Sequence, residues 1–125
     1  MAAGSCSILE ETYGTVKKIK WSWTAGTGSD DSSIATPTTT NTYNGKIQAL
    51  HTVGAAAGDA PTASYDITVV DQSSVDVLLG AGVNRAAATE HTPAASLGCV
   101  AYDTLTLTID NTGDSKKGDV YLFIR

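Results

Sequence analysis

The chain has 125 residues, with eight Lys and Arg against thirteen Asp and Glu for a formal net charge of −5. Charged residues make up only 17% of it, which excludes coiled coils, charged single helices and strongly charged disorder. The acidic balance, without a dense basic stripe, disfavours nucleic-acid binding driven by counterion release. The length suits one domain, large enough to bury a core without metal or disulfide.

Seventeen of the apolar residues are Ala, so large apolar side chains are sparse, while eighteen Thr and repeated Val, Ile and Tyr favour strands over helices. Met1 to Glu11 has neither the basic segment nor the apolar stretch of a secretory signal, so synthesis in the cytoplasm is the expectation. Residues 1–13 show no pattern and are predicted as an extended N-terminal arm ahead of a single domain over 14–125. The first strong strand is Thr15 to Thr24, where Ile19, Trp21 and Trp23 alternate with Lys18, Lys20, Ser22 and Thr24. Ala25 to Asn44 is rich in Gly, Ser, Thr and Asp, carries Pro37, and reads as a long surface loop.

Gly45 to Val53 is a second strand of ambiguous sidedness, with Ile47, Ala49, His51 and Val53 on one side and Gln48, Leu50 and Thr52 on the other. After a small-residue turn, Tyr65, Ile67 and Val69 alternate within Ser64 to Val70. Val75 to Leu79 follows a tight turn and reads as a hairpin partner or a short terminal strand. Asn84 to Gly98 lacks periodicity and reads as loop. The last third predicts a β-hairpin: Leu105, Leu107 and Ile109 on one arm, a polar tip over Asn111 to Gly118, and Val120, Leu122 and Ile124 on the other. Six or seven short strands without helices predict an all-β, antiparallel β-sandwich or small barrel of jelly-roll type, with long polar loops. No run reaches the roughly 18 to 20 apolar residues needed to span a bilayer, so no membrane partner is expected.

Chemistry-bearing patterns are few. No serine sits in a nucleophile elbow, and only His51 and His91 are available as bases, so no enzyme activity is expected. The aspartates follow no calcium-loop spacing and read as turn-forming residues; no metal or cofactor is expected. Cys6 and Cys99 lack zinc or redox spacing and read as reduced thiols, with a Cys6 to Cys99 disulfide as the alternative. Gly80-Ala81-Gly82 is a turn, and Asn84 and Arg85 after it would bond either neighbouring backbone or a partner chain. Lys17, Lys18 and Lys20, with Lys116 and Lys117, make two small basic spots, either solvated or docked on an acidic surface. Trp21 and Trp23 read as core, against the alternative of a platform for sugar rings.

The order of the segments VKKIKWSWTA (Val16 to Ala25), YNGKI and LHTV, YDITVVD, DVLLGAGVNR (Asp76 to Arg85) and LTLTIDNTGDSKKGDVYLFIR (Leu105 to Arg125) resembles small virion structural proteins of tailed bacteriophages, in particular capsid decoration or cement proteins. The resemblance runs from Val16 to Arg125 and is architectural, with no catalytic motif. It implies a β-rich protein added to the capsid exterior, with the major capsid protein and further copies of itself, a trimer favoured, as partners. It implies no enzyme activity. On this basis the arm and the 25–44 loop would make many of the contacts, with Ile8, Leu9, Tyr13, Lys17, Lys18, Ile34, Tyr43, Asn84 and Arg85 as candidate contact residues. The alternative is a head-fibre or tail-associated module recognising a host surface glycan through Trp21 and Trp23.

Overall fold

A computed structural model of the chain describes residues 4–28, 34–35, 37–56, 58–93, 97 and 100–125. These residues are all-β, and among them are nine strands: β1 (Gly4–Tyr13), β2 (Val16–Thr24), β3 (Ile34–Ala35), β4 (Tyr43–Gly54), β5 (Asp66–Val70), β6 (Glu90–Pro93), β7 (Val100–Asp103), β8 (Thr106–Asp110) and β9 (Lys117–Ile124). Among the described residues there is no helix long and apolar enough to cross a membrane.

Among the described residues the strands form two layers and no closed barrel. The large sheet runs β3-β1-β2-β9-β4-β6, with β7 also paired to β4; the small sheet is β5-β8. Every pairing is antiparallel except the two-residue contact of β3 with β1. Period-two alternation decides what lies between the layers. β2 turns Ile19, Trp21 and Trp23 inward and β9 turns Val120, Leu122 and Ile124 inward; from the small sheet Ile67, Val69, Leu107 and Ile109 meet them, all buried. Trp21 Nε1 donates to the Pro37 carbonyl at 2.9 Å, so its polar end is satisfied within the fold. The two indoles are core, as the alternation of β2 predicts.

β4 resolves the ambiguity of its own pattern with a bulge. Its register to β9 shifts between Ile47 and Ala49. One extra residue, Gln48, therefore lets both Ile47 and Leu50 reach the core, both fully buried, although they stand on opposite sides of an ideal strand.

The structure corrects four expectations. The extended arm predicted over residues 1–13 is, from Gly4 on, a strand of the large sheet: β1 pairs with β2 from Ser5 opposite Thr24 to Tyr13 opposite Val16. The predicted terminal hairpin is not a hairpin. β8 pairs with β5 and β9 lies between β2 and β4, so the 111–116 connection crosses from one layer to the other, and Leu107 and Leu122 face each other's sheet instead of sharing one. Val75 to Leu79 forms turns, held by the Asp76 carboxylate, which accepts the amides of Leu78 (3.0 Å) and Gly80 (2.9 Å). Within the predicted 84–98 loop, β6 pairs with β4.

The small sheet's edges are covered by irregular backbone. The amides of Val77 and Arg85 donate to the carbonyls of Val69 and Tyr65 beside β5, and on the β8 side Thr39 N donates to Leu105 O. Such cover blunts strand addition there.

Candidate functional site

Two polar clusters that a sequence reader would suspect of function turn out to hold the fold together. Arg85, at 1% exposure, is one. Its backbone is anchored to the small sheet through Tyr65, while its guanidinium reaches the inner side of the large sheet: Nε donates to Thr52 Oγ1 at 2.9 Å and one terminal nitrogen to Thr92 Oγ1 at 2.7 Å. Two further donors meet the carbonyls of Ala81 and Glu90, and the Glu90 carboxylate lies 3.5 Å away. A planar fork with five donors suits such a crowd of acceptors. Burial pulls the Arg85 pKa below its ordinary value and the Glu90 carboxylate opposes that fall. Arg85 is thus a strut between layers and offers nothing to a partner, which corrects its candidate role as a contact.

Glu10 organises the second cluster from the inner side of β1. Its carboxylate accepts the Tyr43 hydroxyl at 2.7 Å and the amides of Thr40 and Asn41 at 3.1 Å each. Tyr43, 6% exposed, is therefore also internal, and burial together with Glu10 holds its hydroxyl pKa above the ordinary phenol range. Ile8 and Ile34 are half-buried and pack against the core. Lys17 donates to the Asn44 carbonyl at 3.2 Å. Cys6 shares the inner side of β1, where burial pushes its thiol up to about 11; Cys99 lies outside the described residues.

The aspartates act as turn formers. Asp71 accepts the amides of Ser73 (2.8 Å) and Val75 (3.2 Å), and Asp66 accepts the amide of Asn84 (2.9 Å). Among the described residues, no three His, Cys, Asp or Glu side chains converge as a metal set.

What remains is the outer face of the large sheet, where Leu9 and Lys18 lie with Tyr13 at its end. Registers across the ladder place Leu9, Lys20, Tyr121, His51 and His91 in one row over five strands, and Glu11, Lys18, Phe123, Ala49 and Pro93 in the next. The Nζ atoms of Lys18 and Lys20 stand 5.4 and 5.5 Å from the Tyr121 ring centroid. His51 meets His91 edge-on at 4.4 Å and Phe123 at 5.2 Å. Burial, then His91 and then Arg85, lower the His51 pKa, so neutral imidazole is favoured there. Toward the far end of the same face, Ser5, Ser7, Ser22 and Thr24 line a shallow trough of about 400 Å³ with Lys117 and Asp119. Leu9 is 50% exposed and Tyr13 56%.

Asn84 is exposed on the other layer, away from this group. Sequence reasoning missed the aromatic row, because Tyr121 and Phe123 show only as the polar-side partners of a buried alternation, and their meeting with Lys20 and His51 depends on strand order. Comparison of the chain with protein-family models, with curated proteins and with solved structures finds no match.

Proposed function

We propose that this protein is a structural component of a phage virion, a capsid decoration protein that binds the assembled head lattice from outside and stabilises it without covalent chemistry. The observation that carries the reading is the division of labour among its polar groups. Those inside, Arg85 and Glu10, are consumed in joining strands and loops, while a broad sheet face carries aromatic, histidine and lysine side chains in register and is left uncovered by the described residues. The segment resemblance supports the same reading. A protein that binds the assembled lattice and not its free subunits stabilises the lattice by mass action, and needs only shape and complementary chemistry. The major capsid protein and further copies of this chain are its partners in this reading, with a trimer as the expected assembly.

The alternative, glycan recognition in a head fibre or tail, rested on Trp21 and Trp23 as a stacking platform; both indoles are buried, at 0% and 1% exposure, and present no ring face to a sugar. The test is co-sedimentation of the purified protein with phage heads, with mass spectrometry of particles for its copies relative to the major capsid protein. Saturable binding with copies on the scale of the shell is expected. Absence from heads, or a handful of copies per particle, refutes the reading.

A further inference from the structure

We propose that the outer face of the large sheet is the docking surface of this protein and that it takes an acidic protein surface, one that presents carboxylates around an apolar centre. Charge is segregated between the two layers. By strand alternation the outer face of the large sheet carries Lys18, Lys20, Lys46, Lys117 and Arg125 against Glu11 and Asp119, an excess of cations on a chain whose net charge is −5. The opposite outer face, on the small sheet, presents Asp66 directly across from Asp110 and, among the described residues of β5 and β8, no cation. Two packed sheets with their side chains set these faces roughly 20 Å apart, about two Debye lengths at physiological salt. A partner at one face therefore responds to that face and not to the net charge.

The cations are also unevenly compensated. Lys18 has Glu11 at 3.6 Å, a surface pair of little worth. Among the described residues, no carboxylate lies within ion-pair distance of Lys20. Both ammonium groups are held over Tyr121, so part of their ordering cost is already met before a partner arrives. Around them Leu9, Phe123 and the edge-on imidazoles of His51 and His91 make an apolar and aromatic centre with a basic rim, the anatomy of a protein interface. A nucleic acid fits worse. Its charge density of one phosphate per roughly 1.7 Å calls for a continuous basic stripe, whereas two carboxylates interrupt this one on a chain acidic overall.

The proposal rests on the decoration reading only for the partner being a protein lattice. The probe is immobilised poly-L-glutamate, against full-length wild type, K18E/K20E, the milder K18Q/K20Q, and D66N/D110N on the opposite face, each checked for an unchanged circular dichroism spectrum. Wild type is expected to bind at about 50 mM salt and to lose at least about tenfold in affinity by roughly 300 mM. K18E/K20E is expected to lose at least about tenfold, K18Q/K20Q a smaller amount in the same direction, and D66N/D110N less than about twofold. Unchanged affinity in both lysine variants overturns the proposal. So does tighter binding to a short DNA duplex, or self-association of wild type that K18E/K20E abolishes, which would make a second copy the occupant. With purified heads the two claims separate: equal sedimentation of wild type and K18E/K20E refutes the face and leaves the decoration role standing, whereas no sedimentation of wild type, with poly-L-glutamate binding intact, refutes the role and leaves the face.

Discussion

Single residues in this protein are used in ways their type does not announce. Arg85 follows a Gly-Ala-Gly turn and looks like a surface cation, yet every nitrogen of its guanidinium faces an acceptor in a buried setting. Replacing it with Met keeps volume but strands the hydroxyls of Thr52 and Thr92 and leaves Glu90 without its cation. We expect a loss of about 3 kcal/mol, read as the shift in urea midpoint; a change under about 0.5 kcal/mol, the size typical of surface substitutions, would show the strut to be dispensable. His51 makes a pH prediction whose sign is set by its lowered pKa. The unfolded chain takes up a proton near pH 6.5, before the native imidazole does, because partial burial, then His91 and then Arg85 resist the charge. Its contribution to stability is therefore complete above that pH and is lost as pH falls through the lower native value. The drop in urea midpoint between about pH 7.5 and 5.5 should be smaller in His51→Gln than in wild type. Equal drops would place the sensitivity elsewhere.

At the scale of elements, the strands that sequence reveals are those whose alternation is strict and whose inner face is large and apolar. β2, β5, β8 and β9 satisfy this, and each lies where the pattern predicts. β1 escapes notice because its inner side is Cys6, Ile8 and Glu10: the carboxylate breaks the apolar pattern, and it is accommodated only because loop amides and Tyr43 converge on it at the sheet's edge. β6 is short and owes its form to pairing with β4. Two local fits can be tested. A Cβ at Gly118 would lie 2.6 Å from Trp23 Cζ2, since Gly118 stands opposite Trp23 and leaves room for the indole. Gly118→Ala should cost about 1–3 kcal/mol and red-shift tryptophan emission; an unshifted spectrum with full stability would mean that the ring relaxes freely. Deleting Gln48 removes the bulge and leaves Ile47 and Leu50 two positions apart, both on the core side of a regular strand opposite Ile124 and Leu122. The deletion is therefore expected to change the urea midpoint by less than about 1 kcal/mol, and a loss of about 3 kcal/mol or more, the cost of turning a large apolar side chain out of the core, would argue against the register described above.

For the whole molecule, the decisive facts are which strands neighbour which and what each face then displays. Because β1 is a full member of the large sheet, removing Met1 to Glu11 would uncover the β2 edge, the inner side of Trp21 and the anchor for Tyr43. The truncated chain is expected to unfold at lower urea and to aggregate at concentrations where wild type is monodisperse, as sedimentation velocity would show; a stable, monodisperse product would restore the picture of a detachable arm. Composition and alternation were enough to establish an all-β, antiparallel fold, to place Trp21 and Trp23 inside, and to assign the aspartates to turns, because each of these depends on local chemistry and on a period of two. Alternation reports which side of a strand is buried, but not whether the facing apolar row belongs to the strand beside it or to the sheet opposite. That is why Leu105 to Ile109 and Val120 to Ile124 look like two arms of a hairpin and are in fact opposite walls of the core. Strand order alone decided that, and with it the buried fate of Arg85 and the meeting of Lys18, Lys20, Tyr121 and His51 on one open face, since contacts between residues so far apart in the chain exist only once the sheets have closed on each other.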